Sequence, residues 1–104
     1  MTRYWAILAW LACAAVASCA FVPQQSPMLE EAGTAYASAI ADPRVASLAG
    51  PELQAARELL DRANVARNKL DDIAEVDHLA YLAKQRVAIG REAAVLRAAA
   101  QAAR

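Results

Sequence analysis

The sequence predicts an all-α protein, an elongated helical hairpin or three-helix bundle with a long C-terminal coiled-coil-like helix. Three observations predict this class. Apolar residues beyond residue 26 recur at spacings of three and four, the period of a helix that is buried on one side. Alanine, the strongest helix former, supplies most of the hydrophobic content there. Pro27 and Pro51 stand where the first turn of a helix accepts proline.

The first 18 residues have the parts of a secretory signal. Arg3 and the amino terminus are positively charged, and an apolar segment follows from residue 5 to residue 16. The motif Val16-Ala17-Ser18-Cys19 resembles the bacterial lipobox, in which an aliphatic residue and two small residues precede an invariant cysteine. The resemblance implies cleavage before Cys19 and lipidation of its sulfur, so that the protein is held to a membrane by its N-terminal lipid. Alanine rather than aspartate at position 20 favours the outer membrane, with the protein facing the periplasm.

Two alternatives to this interpretation remain. The apolar stretch from Tyr4 to Val22 approaches the length of about 20 residues that crosses a bilayer, so an uncleaved anchor is one of them. The other is ordinary cleavage without lipid. If lipidation holds, Cys13 leaves with the signal and Cys19 carries acyl chains, so neither thiol is available for a disulfide.

The remaining chain divides into a lipidated tether, residues 19–26, and a helical domain, residues 27–104. An extended tether of this length reaches about 20 Å, enough to hold the domain clear of the lipid headgroups. Without Arg3 the chain has ten basic and eleven acidic side chains. This balance offers no electrostatic footprint for nucleic acid, and we expect no nucleic-acid partner.

The first helix is expected from Pro27 to about Ala41. Ser26 is a suitable N-cap, and Asp42 precedes a proline, which disfavours the helical conformation. Residues 42–50 are expected to form a connector. The predicted buried positions of this helix share three- and four-residue spacing, and they are Leu29, Ala32, Tyr36, Ala39 and Ile40.

The second helix begins at Gly50-Pro51-Glu52, with proline at the first turn and an acid near the positive end of the dipole. Its predicted seam comprises Leu53, Ala56, Leu60, Ala63, Arg67 and Leu70. A break is favoured between residues 68 and 72, because Asp72-Ile73-Ala74-Glu75 resembles a capping box. The alternative is one continuous helix from Pro51 to the end, since no glycine or proline interrupts the pattern.

The last helix is expected from Ile73 to Ala103, with two apolar faces and therefore two neighbours. The first has the a/d spacing of a coiled coil: Leu79, Leu82, Arg86, Ile89, Ala93, Leu96, Ala100 and Ala103. The second has side chains small enough for close helix approach: Val76, Ala80, Ala83, Val87, Gly90 and Ala94. We expect Leu79, Leu82, Ile89 and Leu96 to form an interaction seam for a second copy or for a helical periplasmic partner.

Candidate chemistry is sparse. Glu75-x-x-His78 places a carboxylate and an imidazole on one helix face, but a di-iron bundle needs two such motifs and the chain has one histidine. The acids Asp71, Asp72, Glu75 and Asp77 lack the glycine and the alternating ligands of a calcium loop. We therefore expect no metal, no cofactor and no catalytic residues, and interpret these acids as a solvated helix start.

The stretch from Ala35 to Ala94 resembles the alanine-rich helical family known as domain of unknown function 4398. Its most specific part is Val-Asp-His-Leu-Ala-Tyr-Leu-Ala, residues 76–83. The resemblance implies a lipoprotein, since members often are. In longer members this region precedes a peptidoglycan-binding domain similar to that of outer-membrane protein A. The sequence ends at Arg104, before such a domain could begin, so we do not expect peptidoglycan binding through it.

Two classes of function follow from these observations. The first is a non-enzymatic structural or adaptor lipoprotein of the cell envelope that acts through its coiled-coil face. The alternative is a small periplasm-facing binding or stress protein that holds an apolar or peptide ligand between its helices. Full pairing of the seam leaves no groove for a ligand, whereas an exposed seam on a monomer offers one.

Overall fold

The computed structural model describes residues 25–70 and 72–104, which form four helices and contain no strand. The all-α prediction is therefore confirmed. The signal, Cys19 and the tether up to residue 24 lie outside the described residues, as does Asp71. The helices, numbered in chain order, are α1 (Pro27–Ala41), α2 (Pro43–Leu48), α3 (Gly50–Asn68) and α4 (Ile73–Ala102).

Polar caps fix two of the helix starts, as the sequence predicts. The Oγ of Ser26 accepts a hydrogen bond from the backbone N–H of Leu29 at 3.2 Å, which satisfies one of the free donors at the start of α1. The carboxylate of Asp72 accepts from the N–H of Ala74 at 3.1 Å at the start of α4. The predicted break before residue 73 is confirmed, and the continuous helix is excluded.

Leu70 explains how α3 ends without glycine or proline. Its φ is +58°, in the left-handed region that normally selects glycine, and its N–H donates to the carbonyl of Arg67 at 3.1 Å. A single left-handed residue after a helix reverses the chain and closes the last turn. The side chain of Leu70 is exposed, so the prediction that it belongs to the seam of this helix is wrong.

The expected connector over residues 42–50 is wrong, because it contains α2 and the first residue of α3. Asp42 has an extended backbone, as the following proline requires, and thereby ends α1. Its carboxylate then accepts from the N–H of Arg44 at 3.0 Å, so the same residue caps α2. Val45 and Ala49 are buried, and α2 thus closes one end of the bundle.

The three long helices run up, down and up. Contacts of Ser26 with Asp77 and of Ser38 with Arg91 show that α1 and α4 are parallel. The tight turn at residues 69–72 makes α3 antiparallel to α4. The end of the bundle from which α1 starts therefore also contains the α3–α4 turn, while the C-terminal end of α4 points the opposite way.

Small side chains dominate the core. One buried cluster joins the start of α1 to the α3–α4 turn, and a second joins α2 to the middle of α4. Of the positions predicted to be buried on α1, Leu29, Ala32 and Ala39 are buried. Tyr36 is half-buried, and Ile40 is exposed, contrary to prediction. Ile40 lies next to the end of α1, where the chain turns away into α2.

Candidate interaction surface on the last helix

The small-residue face of α4 is its buried face. All six positions predicted for it are buried: Val76, Ala80, Ala83, Val87, Gly90 and Ala94. At Gly90 the neighbouring helix comes so close that an added Cβ would lie 3.2 Å from the Cβ of Glu52 and 3.5 Å from that of Ala49. The lack of large side chains therefore allows the helix axes to approach closely.

The second apolar face, here called the outer stripe, comprises Leu79, Leu82, Ile89 and Leu96. Leu79 and Leu82 are half-buried, whereas Ile89 is 48% and Leu96 is 70% exposed. A seven-residue repeat drifts by about 20° per heptad around a straight α-helix. The stripe therefore begins beside α3 and turns progressively towards solvent.

Two neighbours for α4 were expected, one for each apolar face, but α1, α2 and α3 all pack against it. Both α1 and α3 pack against the small-residue face and its flanks. On one flank Lys84 contacts Glu31 of α1 at 3.1 Å, and on the other Gly90 faces α3. Beyond Leu82, the outer stripe has no neighbouring helix of its own among the described residues.

The last turns of α4 extend past the bundle. Ala94 is the last buried residue of the helix, and residues 95–102 continue for about 12 Å at 1.5 Å per residue. Arg97 secures the start of this overhang, since its Nη2 lies 2.6 Å from Oε1 of Glu52 and its Nη1 donates to the carbonyl of Leu48. This contact joins α4 to α2 and α3 at once.

The same contact sets the protonation of both partners. The hydrogen bond from the Arg97 guanidinium lowers the pKa of the Glu52 carboxyl, and the bond to the carboxylate raises the pKa of Arg97. Glu52 also lies in the first turn of α3, where the helix dipole favours a negative charge. The pair is therefore fully ionised near neutral pH.

A groove of about 340 Å³ lies between α3 and α4, beside the start of the outer stripe. Its apolar floor includes Val65, Ala66 and Leu79, and it also has charged lining residues, among them Lys69 and Glu75. A second groove, of about 650 Å³, lies between α1 and α4 and is crossed by the Lys84–Glu31 ion pair. Both grooves are open to solvent along the bundle.

One of the acidic residues at the start of α4, Asp77, has a structural role. Asp77 accepts a hydrogen bond from the buried Oγ of Ser26 at 2.5 Å and so fastens α1 to α4. Sequence reasoning missed this contact, because nothing in the spacing of the acids separates Asp77 from its solvated neighbours. His78 is exposed. Residues 25–70 and 72–104 include no group of three His, Cys, Asp or Glu side chains that is arranged to hold a metal ion.

Cys19 lies outside the described residues, so its lipidation stays a prediction. Within the described part of the chain, none of the helices has the length and apolar character needed to cross a bilayer.

Comparison with known families identifies the class of protein. Residues 27–104, most of the chain, match the family described as Domain of unknown function (DUF4398). The chain belongs to this family, as its sequence predicts. Comparisons with curated proteins and with solved structures gave no match.

Proposed function

We propose that the protein is a non-enzymatic, lipid-anchored adaptor of the bacterial cell envelope, which binds a helical partner through the outer stripe of α4. Cys19 is its lipidation site, and its domain faces the periplasm from the outer membrane. The observation that carries the proposal is the exposure of Ile89 and Leu96 on a long helix whose other apolar face is already buried.

Exposed branched side chains in a row lower their free energy when they pair with another apolar surface, by about 25 cal/mol per Å² buried. A scattered exposed apolar residue needs no explanation, but this stripe keeps heptad spacing over at least two repeats. The small-residue face already supplies the intramolecular packing of α4. Ile89 and Leu96, the exposed part of the outer stripe, are therefore free to bind another helix.

Lipid anchoring rests on the lipobox match at Val16-Ala17-Ser18-Cys19. Each buried acyl methylene contributes about 0.8 kcal/mol, so several chains make attachment effectively permanent. The position of α1 suits such an anchor, since Ser26 lies at one end of the bundle and the overhang of α4 at the other.

Crosslinking in intact cells tests the adaptor role. A photoreactive benzoylphenylalanine replaces Leu96 in one full-length variant and Arg57 in another, both exposed positions on different helices. We expect a discrete protein adduct from position 96 that disappears when Ile89→Asp is added, and none from position 57. Equal adducts from both positions, or none from position 96, would overturn the adaptor role.

Mass spectrometry of protein extracted from membranes tests the anchor. The mature protein should lack residues 1–18 and carry acyl chains on Cys19. Cys19→Ala should accumulate as a full-length precursor without lipid, whereas Cys13→Ala, the control, should give the same mature mass as the wild type. Wild-type protein that keeps residues 1–18 and has no added acyl mass would disprove lipidation.

A further inference from the structure

We propose that the turn between α3 and α4 is a membrane-contact site, which inserts the side chain of Leu70 among the headgroups of a zwitterionic lipid surface. The inference rests on the proposed function for the lipid anchor at Cys19. It adds a second, reversible contact with the same membrane, and with it the orientation of the domain.

Leu70 has a backbone conformation that favours glycine. Its φ is +58°, and this region is uncommon for a large side chain, because the Cβ comes too close to the following carbonyl oxygen. The side chain does not offset this strain within the domain, since it is 67% exposed and belongs to neither buried cluster. A strained residue with an exposed apolar side chain points to a contact outside the domain.

The neighbours of Leu70 suit the boundary between lipid headgroups and acyl chains. Val65, one turn before the end of α3, is 50% exposed. Lys69 and Asp72 are also exposed and stand on either side of Leu70 in the chain. A lysine can bury its aliphatic stem against apolar groups while its ammonium stays with the phosphates. These four residues, here called the tip patch, therefore combine apolar side chains with both signs of charge.

The charges of the turn favour a zwitterionic surface over an anionic one. Arg67 and Lys69 are balanced in the sequence by Asp71 and Asp72. Neither Lys69 nor Asp72 belongs to an ion pair within residues 25–70 and 72–104. Phosphatidylethanolamine offers a phosphate to the lysine and an ammonium to the carboxylate. A balanced turn gains no net attraction from anionic lipid, which would repel its acids.

The tether keeps a lipid surface within reach of the tip patch. The bond from Ser26 to Asp77 shows that the tether joins the bundle beside the first turns of α4. Asp77 lies four residues beyond Ile73, or about 6 Å along the helix. The tether itself reaches about 20 Å at most. Membrane contact is therefore intramolecular, and an effective concentration on the order of millimolar allows even a weak contact to form.

Contact at this end makes α4 project away from the membrane. Leu96 lies 23 residues beyond Ile73, which is about 35 Å along the helix. The exposed part of the outer stripe is thus held away from the lipid, where a helical partner can reach it. The tip patch therefore orients the domain for the adaptor role.

Tryptophan fluorescence of the lipidated protein tests the contact. The two tryptophans of the chain, Trp5 and Trp10, lie in the predicted signal, so the processed protein has none. Asn68→Trp places a reporter at the end of α3, and Ser47→Trp places a control on α2, at the opposite end of the bundle. The processed proteins are reconstituted in vesicles of phosphatidylethanolamine and phosphatidylcholine, with or without brominated acyl chains, which quench tryptophan on contact.

We expect brominated lipid to quench Asn68→Trp at least twofold and to leave Ser47→Trp unchanged. Adding Leu70→Gly to the Asn68→Trp protein should abolish the quenching. Glycine suits the left-handed backbone, so this loss does not reflect unfolding, and unchanged circular dichroism verifies that it does not. Absence of quenching at position 68, or quenching that Leu70→Gly leaves unchanged, would overturn the membrane contact.

Flotation of the vesicles through a density gradient separates this contact from the anchor. The acyl chains should keep the wild type and Leu70→Gly with the vesicles equally well. Protein that floats without quenching at position 68 would overturn the contact and leave the anchor intact, whereas protein that does not float would overturn both.

A change of lipid tests the kind of surface. Adding phosphatidylglycerol to the vesicles should not increase the quenching of Asn68→Trp. An increase that salt reverses would show that the turn binds anionic headgroups, and would overturn the zwitterionic assignment.

Discussion

Ser26 donates its hydroxyl proton to Asp77 across 2.5 Å, and this contact links the first cap of the domain to the first turns of the last helix. The Ser26 residue is 2% exposed and its hydroxyl is satisfied in both directions, since the oxygen also accepts from the N–H of Leu29. The place where the tether meets the bundle is therefore fixed relative to α4.

Replacing Ser26 with alanine should lower the free energy of unfolding by about 2 kcal/mol, because it removes a helix cap and leaves a half-buried carboxylate without its donor. Urea denaturation followed by circular dichroism measures the change. Ser47→Ala, which removes an exposed hydroxyl on α2, should change stability by no more than about 0.5 kcal/mol.

A double-mutant cycle isolates the bond itself. Asp77→Ala should be nearly as destabilising as Ser26→Ala, and the double variant should be clearly less destabilised than the sum of both. Strict additivity of the two single changes would show that the two side chains do not stabilise each other.

The glycines of α1 and α4 should respond in opposite directions. An added Cβ at Gly33 meets nothing within 4 Å, so Gly33→Ala should raise the free energy of unfolding by up to about 1 kcal/mol through helix propensity alone. Gly90→Leu should lower it by about 3 kcal/mol or more, because α3 leaves no room there. Ala88→Leu, on the exposed side of α4, serves as the control for the added side chain.

Thermal and chemical denaturation of these three variants give the comparison directly. A Gly90→Leu variant as stable as Ala88→Leu would mean that α3 and α4 are not in close contact at this position.

Leu70→Gly should stabilise the protein by about 0.5–1 kcal/mol. A left-handed conformation costs a non-glycine residue about 1–2 kcal/mol, and glycine avoids this cost. Glycine also loses more conformational freedom on folding, which offsets part of the gain. The leucine side chain is 67% exposed, so its loss costs little packing. Lys69→Gly, at a residue with φ of −84°, should not stabilise. If Leu70→Gly and Lys69→Gly shift the denaturation midpoint equally, Leu70 does not adopt the left-handed conformation.

The Glu52–Arg97 contact should make the attachment of the overhang sensitive to acid. The hydrogen bond from Arg97 lowers the pKa of Glu52 in the folded state, so the contribution of its carboxylate is complete above the ordinary pKa of a glutamate and is lost as the pH falls through the lower folded value. Glu52→Gln should lower the melting temperature at pH 7, and the difference from wild type should vanish well below about pH 4.

Glu58→Gln is the matched control for this comparison, because Glu58 is an exposed carboxylate of the same helix outside the two ion pairs of the described residues. Its effect should be small at every pH. A Glu52→Gln difference that persists unchanged in acid would show that the carboxylate charge does not hold Arg97.

Local signals predicted much of the fold. Caps and prolines act within one turn of the chain, so Ser26, Asp72 and Pro51 placed three helix starts correctly. The small-residue face of α4 was also predictable, because only small side chains permit close approach. The end of α3 was harder, since a left-handed leucine leaves no compositional signal. Asp42 before Pro43 predicts the end of α1, although an aspartate before proline is equally able to cap the next helix.

Features that depend on distant parts of the chain were not predictable. The bond from Ser26 to Asp77 and the contact of Arg97 with Glu52 join residues 51 and 45 positions apart. Heptad spacing identified the outer stripe, but spacing alone does not say which of two apolar faces turns inward. Packing decides this, because the face of alanine, valine and glycine admits two neighbouring helices and the leucine face does not.

Photocrosslinking from position 96 in intact cells tests the central claim, that the outer stripe binds a helical partner, most directly. We predict a discrete protein adduct from the variant with benzoylphenylalanine at position 96, and its loss when Ile89→Asp is added. The helical circular dichroism of residues 24–104, a fragment that contains all residues of both buried clusters, should not change with Ile89→Asp. No adduct from position 96, or an adduct that Ile89→Asp leaves unchanged, would contradict the account.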